Sequence, residues 1–175
     1  MVELSGVSFG YQSDKNVLDN LNLRMEEGRF YGLLGMNGSG KTTLLKLIAG
    51  KLFAHGGEIY VDGRNLRERD VETLQKVFML PADFIFPNMS LEQFLAIYSE
   101  FYPEFRKEVL NDCLVNFEIQ RDIKNLNQLS LGEKHKVAFS IALSLGTKIV
   151  LLDEAANGMD IPARKMFRKL LMKHV

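Results

Sequence analysis

The chain has 175 residues, 22 basic and 22 acidic side chains, and one cysteine. The length suits one domain with room for a subdomain and a proper core, and the even charge balance sets up no global field for nucleic acid or an anionic membrane. The lone Cys113 excludes an intrachain disulfide and suits a reducing compartment; no stretch reads as a secretory leader, and no apolar run approaches the ~18 residues of a membrane span.

The first 80 residues read as strands and one helix. Val2–Val7 and Leu21–Met25 alternate apolar and polar residues, as half-buried strands do. Arg29-Phe30-Tyr31-Gly32-Leu33-Leu34 is a short apolar run and is expected to be a buried strand. Thr43–Gly50 reads as a helix ending at a glycine stop. Gly56-Gly57 turns into a strand at Glu58–Val61, Asp62-Gly63 turns out again, and Lys76–Leu80 is a further strand stopped by Pro81.

The period then changes from two to that of a helix. Ser90-Leu91-Glu92-Gln93 has the pattern of a capping box, followed by Leu91, Phe94, Leu95, Tyr98 and Phe101 at helical spacing. Pro103 is expected to open a second helix, with Phe105, Val109, Cys113, Leu114 and Phe117 on one face. A third should start near Ser130 and run through Val137, Ile141 and Leu145. Lys148–Leu152 returns to a buried strand, and Pro162 opens a last helix reaching about His174. The eight methionines are expected mostly as core fillers. His174 is expected as a plain surface residue, and His55 and His135 have no partners at metal-ligand spacing.

Between the run at 29–34 and the helix at 43–50 lies Gly35-Met36-Asn37-Gly38-Ser39-Gly40-Lys41-Thr42, the G-x-x-x-x-G-K-[ST] pattern of a phosphate-binding loop. A triphosphate crowds negative charge onto neighbouring oxygens. Successive backbone N–H groups can surround them only if the chain curls tightly, which glycine permits. The following helix points its positive end at the phosphates. Lys41 supplies a mobile cation, and Thr42 a hydroxyl for Mg²⁺, which takes oxygen ligands.

At the end of the strand 148–152 stand Asp153 and Glu154. Carboxylates after an apolar strand are costly unless a cation awaits them. Asp153 is therefore the candidate second contact for Mg²⁺, and Glu154 the candidate general base for an attacking water. Ser130-x-x-Glu133 is ambiguous. It is a capping box, and a helix start with a Ser hydroxyl and the Gly132 amide is also an anion site.

Together these residues resemble the nucleotide-binding domain of ATP-binding cassette (ABC) proteins, over nearly the whole chain. Phe9-Gly10-Tyr11 resembles the family's aromatic A-loop, which implies that Tyr11 stacks on adenine. Gly35–Thr42 matches its Walker A loop, which adds Asn37, Ser39 and Thr43 to Gly35, Gly38, Gly40 and Lys41 as nucleotide contacts. Leu129–Glu133 resembles the signature sequence, Ile149–Glu154 the Walker B strand with its catalytic glutamate, and Asn157-Gly158-Met159-Asp160 the D-loop, with Asp160 at the nucleotide. Phe101-Tyr102-Pro103 resembles a bacterial subgroup of exporters.

The resemblance implies an α/β fold. A P-loop NTPase with a RecA-like core and an N-terminal antiparallel β subdomain would comprise residues 1–87 and 147–175. A helical subdomain, residues 88–146, would be inserted in it. It implies ATP and Mg²⁺ as ligands and a homo- or heterodimer of such domains, in which Ser130 and Gly132 of one copy cover the ATP of the other. It further implies a transmembrane permease subunit as partner, no nucleic acid, and a cytoplasmic place on the inner face of the membrane. The implied function is the ATPase subunit of a transporter. A non-hydrolysing nucleotide sensor and a soluble ABC ATPase are the alternatives; a switch GTPase lacks its Asn-Lys-x-Asp guanine reader.

Three features depart from that pattern. Ala82 stands where the family has a magnesium-contacting Gln, so that either Asp83 substitutes or the ion keeps another water. Leu131 and Glu133 replace Gly and Gln in the signature, and Glu133 is expected to point back to its own helix start. The switch histidine is missing, so the domain reads as C-terminally short and is expected to bind ATP but hydrolyse it weakly. Phe84-Ile85-Phe86-Pro87 forms either an exposed socket for the membrane partner or core.

Overall fold

The computed structural model describes residues 1–12 and 15–175. They divide into two compact units, Met1–Met79 and Leu80–Val175.

The first unit is built on a four-stranded sheet in the order β2-β1-β3-β4, with β1 Val2–Phe9, β2 Leu18–Met25, β3 Gly56–Val61 and β4 Arg64–Asn65. All its pairings are antiparallel. The alternation read in β1 puts Val2, Leu4, Val7 and Phe9 in the core. The step from Leu4 to Val7 breaks the strict period, and the register shifts there, as at a β-bulge. Asp62-Gly63 joins β3 to β4 as a tight hairpin turn, and α1 (Lys41–Ile48) ends in a turn at Gly50. After β4 come α2 (Val71–Gln75), capped by Asp70, and β5 (Val77–Leu80), which crosses into the second unit.

Residues 29–34 do not form the expected strand. They are irregular, and Phe30, Tyr31, Leu33 and Leu34 are exposed, Leu34 at 94%. A strand exists by pairing, and apolar composition alone cannot supply a ladder. Glu26-Glu27-Gly28 carries the chain off β2, and the segment does not pair back onto the sheet of its unit.

The second unit contains α3 (Leu91–Phe101), α4 (Lys107–Asn116), α5 (Leu131–Ser144), β6 (Ile149–Leu152) and α6 (Ile161–His174). Ser90 closes the capping box at α3: its hydroxyl accepts the Gln93 amide at 3.1 Å and its own amide donates to Gln93 at 3.0 Å. Helix α5 is the spine. Val137, Phe139, Ile141 and Leu143 are buried on different sides of it, as expected of a helix surrounded by other elements. Phe139 lies 6.0 Å from Phe117 and 4.1 Å from Phe167 of α6, centroid to centroid. Cys113 is buried as expected, and burial, reinforced by Asp112, pushes its thiol up to about 12, which leaves it inert.

Three expectations need correction here. Helix α4 begins at Lys107, not at Pro103. The proline instead takes the second place of a turn closed by the Phe105 amide on the Tyr102 carbonyl at 3.1 Å, where its fixed φ is favoured. The methionines are not mostly core: Met79 and Met159 are buried, but Met36 and Met172 are largely exposed. Nor is His174 a plain surface residue. Its Nε2 lies 2.7 Å from Asp112 Oδ2, which also accepts from Lys173 Nζ at 2.8 Å. These bonds tie the end of α6 to α4.

The turn at 102–106 also clamps the end of α5. The Arg106 amide donates to the Ser144 carbonyl at 2.7 Å and its guanidinium to the Leu143 carbonyl at 3.2 Å, satisfying helix-end acceptors. Gly146 makes this possible, with φ at +71° and an added Cβ only 2.1 Å from the Glu104 carbonyl. Gly146→Ala should therefore lower stability by more than about 1 kcal/mol, read as a shifted urea midpoint at unchanged slope. Lys173, then His174, hold the Asp112 carboxyl below the usual range. Its contribution is then present above the unfolded-state value of about 3.9 and is lost as pH falls through the lower folded value. Asp112→Asn should reduce stability at neutral pH and flatten the acid side of a pH–stability curve.

Candidate functional site

The glycine-rich segment 35–40 curls before α1. Gly38 and Gly40 sit at φ +80° and +91°, and Gly40 is the N-cap of the helix. Only glycine holds such angles cheaply. A Cβ on Gly40 would also come 3.1 Å from the Val17 and Leu18 side chains, so the curl is packed against the start of β2. The Ser39 amide donates to the Met36 carbonyl at 3.2 Å, and a Cβ on Gly35 would meet Ser39 Oγ at 2.7 Å. Lys41 Nζ folds back and donates to the Gly35 and Met36 carbonyls, both at 2.8 Å. Asn37 lies exposed at the tip. No acidic side chain occupies the first turn of α1, which leaves its positive end unopposed by a carboxylate there.

Thr42 and Thr43 lie in that first turn, and Thr43 is buried. Its Oγ1 is 3.1 Å from the Tyr11 hydroxyl. Tyr11 packs edge-on against Phe9 at 5.1 Å, yet the residue remains 61% exposed. An anchored ring with an open face can stack on a flat aromatic ligand. The first unit thus brings Tyr11 and residues 35–43 into one place.

In the second unit β6 delivers Asp153, which is 6% exposed, and Glu154, which is exposed. The Asp153 amide donates to the Leu80 carbonyl at 3.0 Å. Glu154 has φ +52°, so the chain leaves the strand sharply at this residue. The Asn157 amide donates to the Glu154 carbonyl at 2.9 Å, and the Asn157 side chain donates to the Glu154 carboxylate. Asn157 is a site residue beyond those expected from the motifs, and an amide three residues after an acid is its signal in the sequence. Asp160 is the N-cap of α6 and accepts from the Ala163 amide at 2.8 Å.

Ser130 caps α5. Its hydroxyl accepts the Glu133 amide at 3.3 Å and donates to the Glu133 carboxylate at 2.6 Å, which also accepts the Ser130 amide at 2.9 Å. Glu133 therefore points back to its own helix start, as expected. Those two bonds from Ser130 hold its carboxyl below the usual range. Gly132 lies against the loop after β6, where a Cβ would stand 3.3 Å from the Gly158 carbonyl. The helix start and the 154–160 loop are thus neighbours.

Ala82 and Asp83 are both exposed in a turn. Of the segment behind them, Phe86 is buried and edge-on to Phe94 at 5.5 Å, so it is core and not an exposed socket. Ile85 is the exposed member, at 86%. His135 is buried with its Nδ1 lacking a hydrogen-bond partner, a cost that a purely structural site usually avoids. No helix among the described residues is long and apolar enough to cross a membrane.

Comparison with known proteins agrees with this geometry. The sequence model of the ABC transporter family matches residues 18–157. The ABC transporter ATP-binding protein YtrB of Bacillus subtilis is 30% identical over all 175 residues of the chain, which spans 59% of the length of YtrB. A Pyrococcus furiosus protein described as an ABC transporter ATP-binding protein shares 30% identity at a TM-score of 0.83, covering 99% of this chain and 84% of that one. The ATP-binding cassette MJ0796, solved as a dimer in a post-hydrolysis state with ADP and Pi, shares 27% identity at a TM-score of 0.83, with 99% and 82% covered. The fold is that of these cassettes, a P-loop NTPase fold, and the chain belongs to the ABC transporter family.

Proposed function

We propose that this chain binds ATP on the 35–43 loop and hydrolyses it, as the ATPase subunit that powers a separate transmembrane permease. The observation that carries the reading is the curled loop itself, with Lys41 Nζ held at its mouth and the Tyr11 ring tethered beside it through Thr43. The two carbonyls that now accept from Lys41 stand in for phosphate oxygens. A triphosphate would exchange these neutral acceptors for charged ones, a stronger pairing. The amides around Gly38 and Gly40 and the start of α1 hold the remaining phosphate charge. The exposed face of Tyr11 takes the adenine.

The Thr42 hydroxyl and the Asp153 carboxylate are hard oxygen donors of the kind Mg²⁺ takes. An ion taken by such donors would neutralise phosphate charge. No group of three His, Cys, Asp or Glu side chains among the described residues forms a metal site by itself, so phosphate oxygens would complete the set. Glu154 takes the proton of the attacking water, and Asn157 holds the carboxylate in place.

A second nucleotide-binding domain, identical or different, completes each site head to tail. The adjacency of Gly132 to Gly158 supports this, because the helix start that would cover the other copy's ATP then lies beside the loop that carries Glu154. ATP draws the two domains together by contacts that exist only in the closed pair. Residues 88–146 serve as a helical subdomain and residues 1–87 and 147–175 as the nucleotide-binding core, and the chain works at the inner face of the membrane.

Lys41→Ala should weaken ATP binding roughly 10- to 100-fold, the loss of a charge-assisted bond, measured by titration with a fluorescent ATP analogue. Glu154→Gln should bind ATP as the parent does but turn it over about 10²- to 10⁴-fold more slowly. Parent turnover no faster than that of Glu154→Gln would overturn hydrolysis at this residue, and background turnover in both would leave a nucleotide sensor as the reading.

A further inference from the structure

His135 lies in the second turn of α5 and is 4% exposed. One edge of its ring abuts the 154–160 loop: a Cβ on Gly158 would stand 3.7 Å from His135 Cδ2 and 3.4 Å from the Leu131 side chain. Gly158 is at φ +73°, and its carbonyl faces Gly132 at the helix start, where an added Cβ would stand 3.3 Å away. The other side of the imidazole meets Phe84 edge-on at 5.2 Å and 81°. From Phe84 the contact continues to Phe86 at 5.3 Å, to Phe94 of α3 at 5.5 Å, and to Tyr98 stacked at 4.2 Å. A continuous file of rings therefore joins the loop that holds Glu154 to helix α3, passing through the segment that follows Ala82.

We propose that His135 is a positioning residue that pins the 154–160 loop to the start of α5 and couples that loop, through Phe84 and Phe86, to α3. Edge-to-face rings fit together in few arrangements, and close-packed contacts switch between discrete states instead of deforming gradually. A displacement of the 82–87 segment, where Ile85 is exposed, is thereby passed to Gly158. From there it reaches Asn157 and the carboxylate of Glu154. The unpaired Nδ1 biases the device, because any loop movement that offers it a partner gains a hydrogen bond. The catalytic consequence rests on the role proposed for Glu154; the mechanical coupling does not.

The test is amide hydrogen exchange on the intact protein, followed at Asn157 and Met159, with the amides of α4 as internal control. His135→Ala and Phe84→Leu should each speed exchange at the two loop amides at least tenfold and leave α4 within twofold. The double variant should go little further than either single one, since both cut the same path. His135→Phe should restore slow exchange. In steady-state turnover, Phe84→Leu should lower kcat at least tenfold with KM for ATP within twofold. Loop exchange unchanged in Phe84→Leu, or accelerated equally in α4, overturns the coupling. If His135→Ala fails to fold, Phe84→Leu and His135→Phe still decide it. A parent protein that binds no ATP would overturn the proposed function, while the exchange experiment would still judge the coupling.

Discussion

Amides can converge on one point only where the backbone accepts left-handed angles, and Gly38 and Gly40 do so at φ +80° and +91°. That curl sets the direction of α1, because Gly40 is both the last curled residue and the helix cap. It also sets the place of Lys41, whose ammonium donates to the Gly35 and Met36 carbonyls that the curl turns toward it. The sheet answers the curl by packing Val17 and Leu18 under Gly40. Tyr11, through Thr43, then fixes the distance between an aromatic platform and the loop. Each of these features would be inert without the glycines.

The second unit solves a different problem, holding acidic groups at defined points without letting them interfere. Asp153 is buried behind an apolar strand, Glu154 is turned outward and tied to Asn157, Asp160 is spent on its own helix cap, and Glu133 is folded back on Ser130. A carboxylate in place of the family's usual glutamine at Glu133 would repel a phosphate if it pointed outward. The capping box removes that conflict by local hydrogen bonding. The substitution of Leu131 leaves Gly132, the position pressed against the Gly158 carbonyl, intact.

The helical part of that unit is organised by rings and helix ends. Phe117, Phe139 and Phe167 join α4, α5 and α6, while Phe84, Phe86 and Phe94 lead from the 82–87 segment into α3. The turn at 102–106 closes the far end of α5 by donating to its last carbonyls. Helix α5 is thus held at both termini, at Ser130 and at Ser144, and a rigid element of that kind keeps its first turn where a ligand or partner would meet it.

What could be read directly from the residues was whatever is settled within a few positions of the chain. The phosphate loop, both capping boxes, the Asp62-Gly63 hairpin, the Gly50 helix stop and the backward turn of Glu133 all depend on short stretches of chain, the longest being Gly35–Thr42, so their chemistry is written locally. The tertiary structure alone decided the rest, since each case turns on a partner distant in sequence. Arg29–Leu34 has the composition of a strand but no ladder in its unit. Pro103 could open a helix or a turn, and the clamp on α5 selects the turn. Phe86 is inward because Phe94 waits there, and His174 is engaged because Asp112, sixty-two positions earlier, faces it. Local hydrogen bonds are encoded by adjacent side chains; burial and pairing are properties of whatever the folded chain brings alongside.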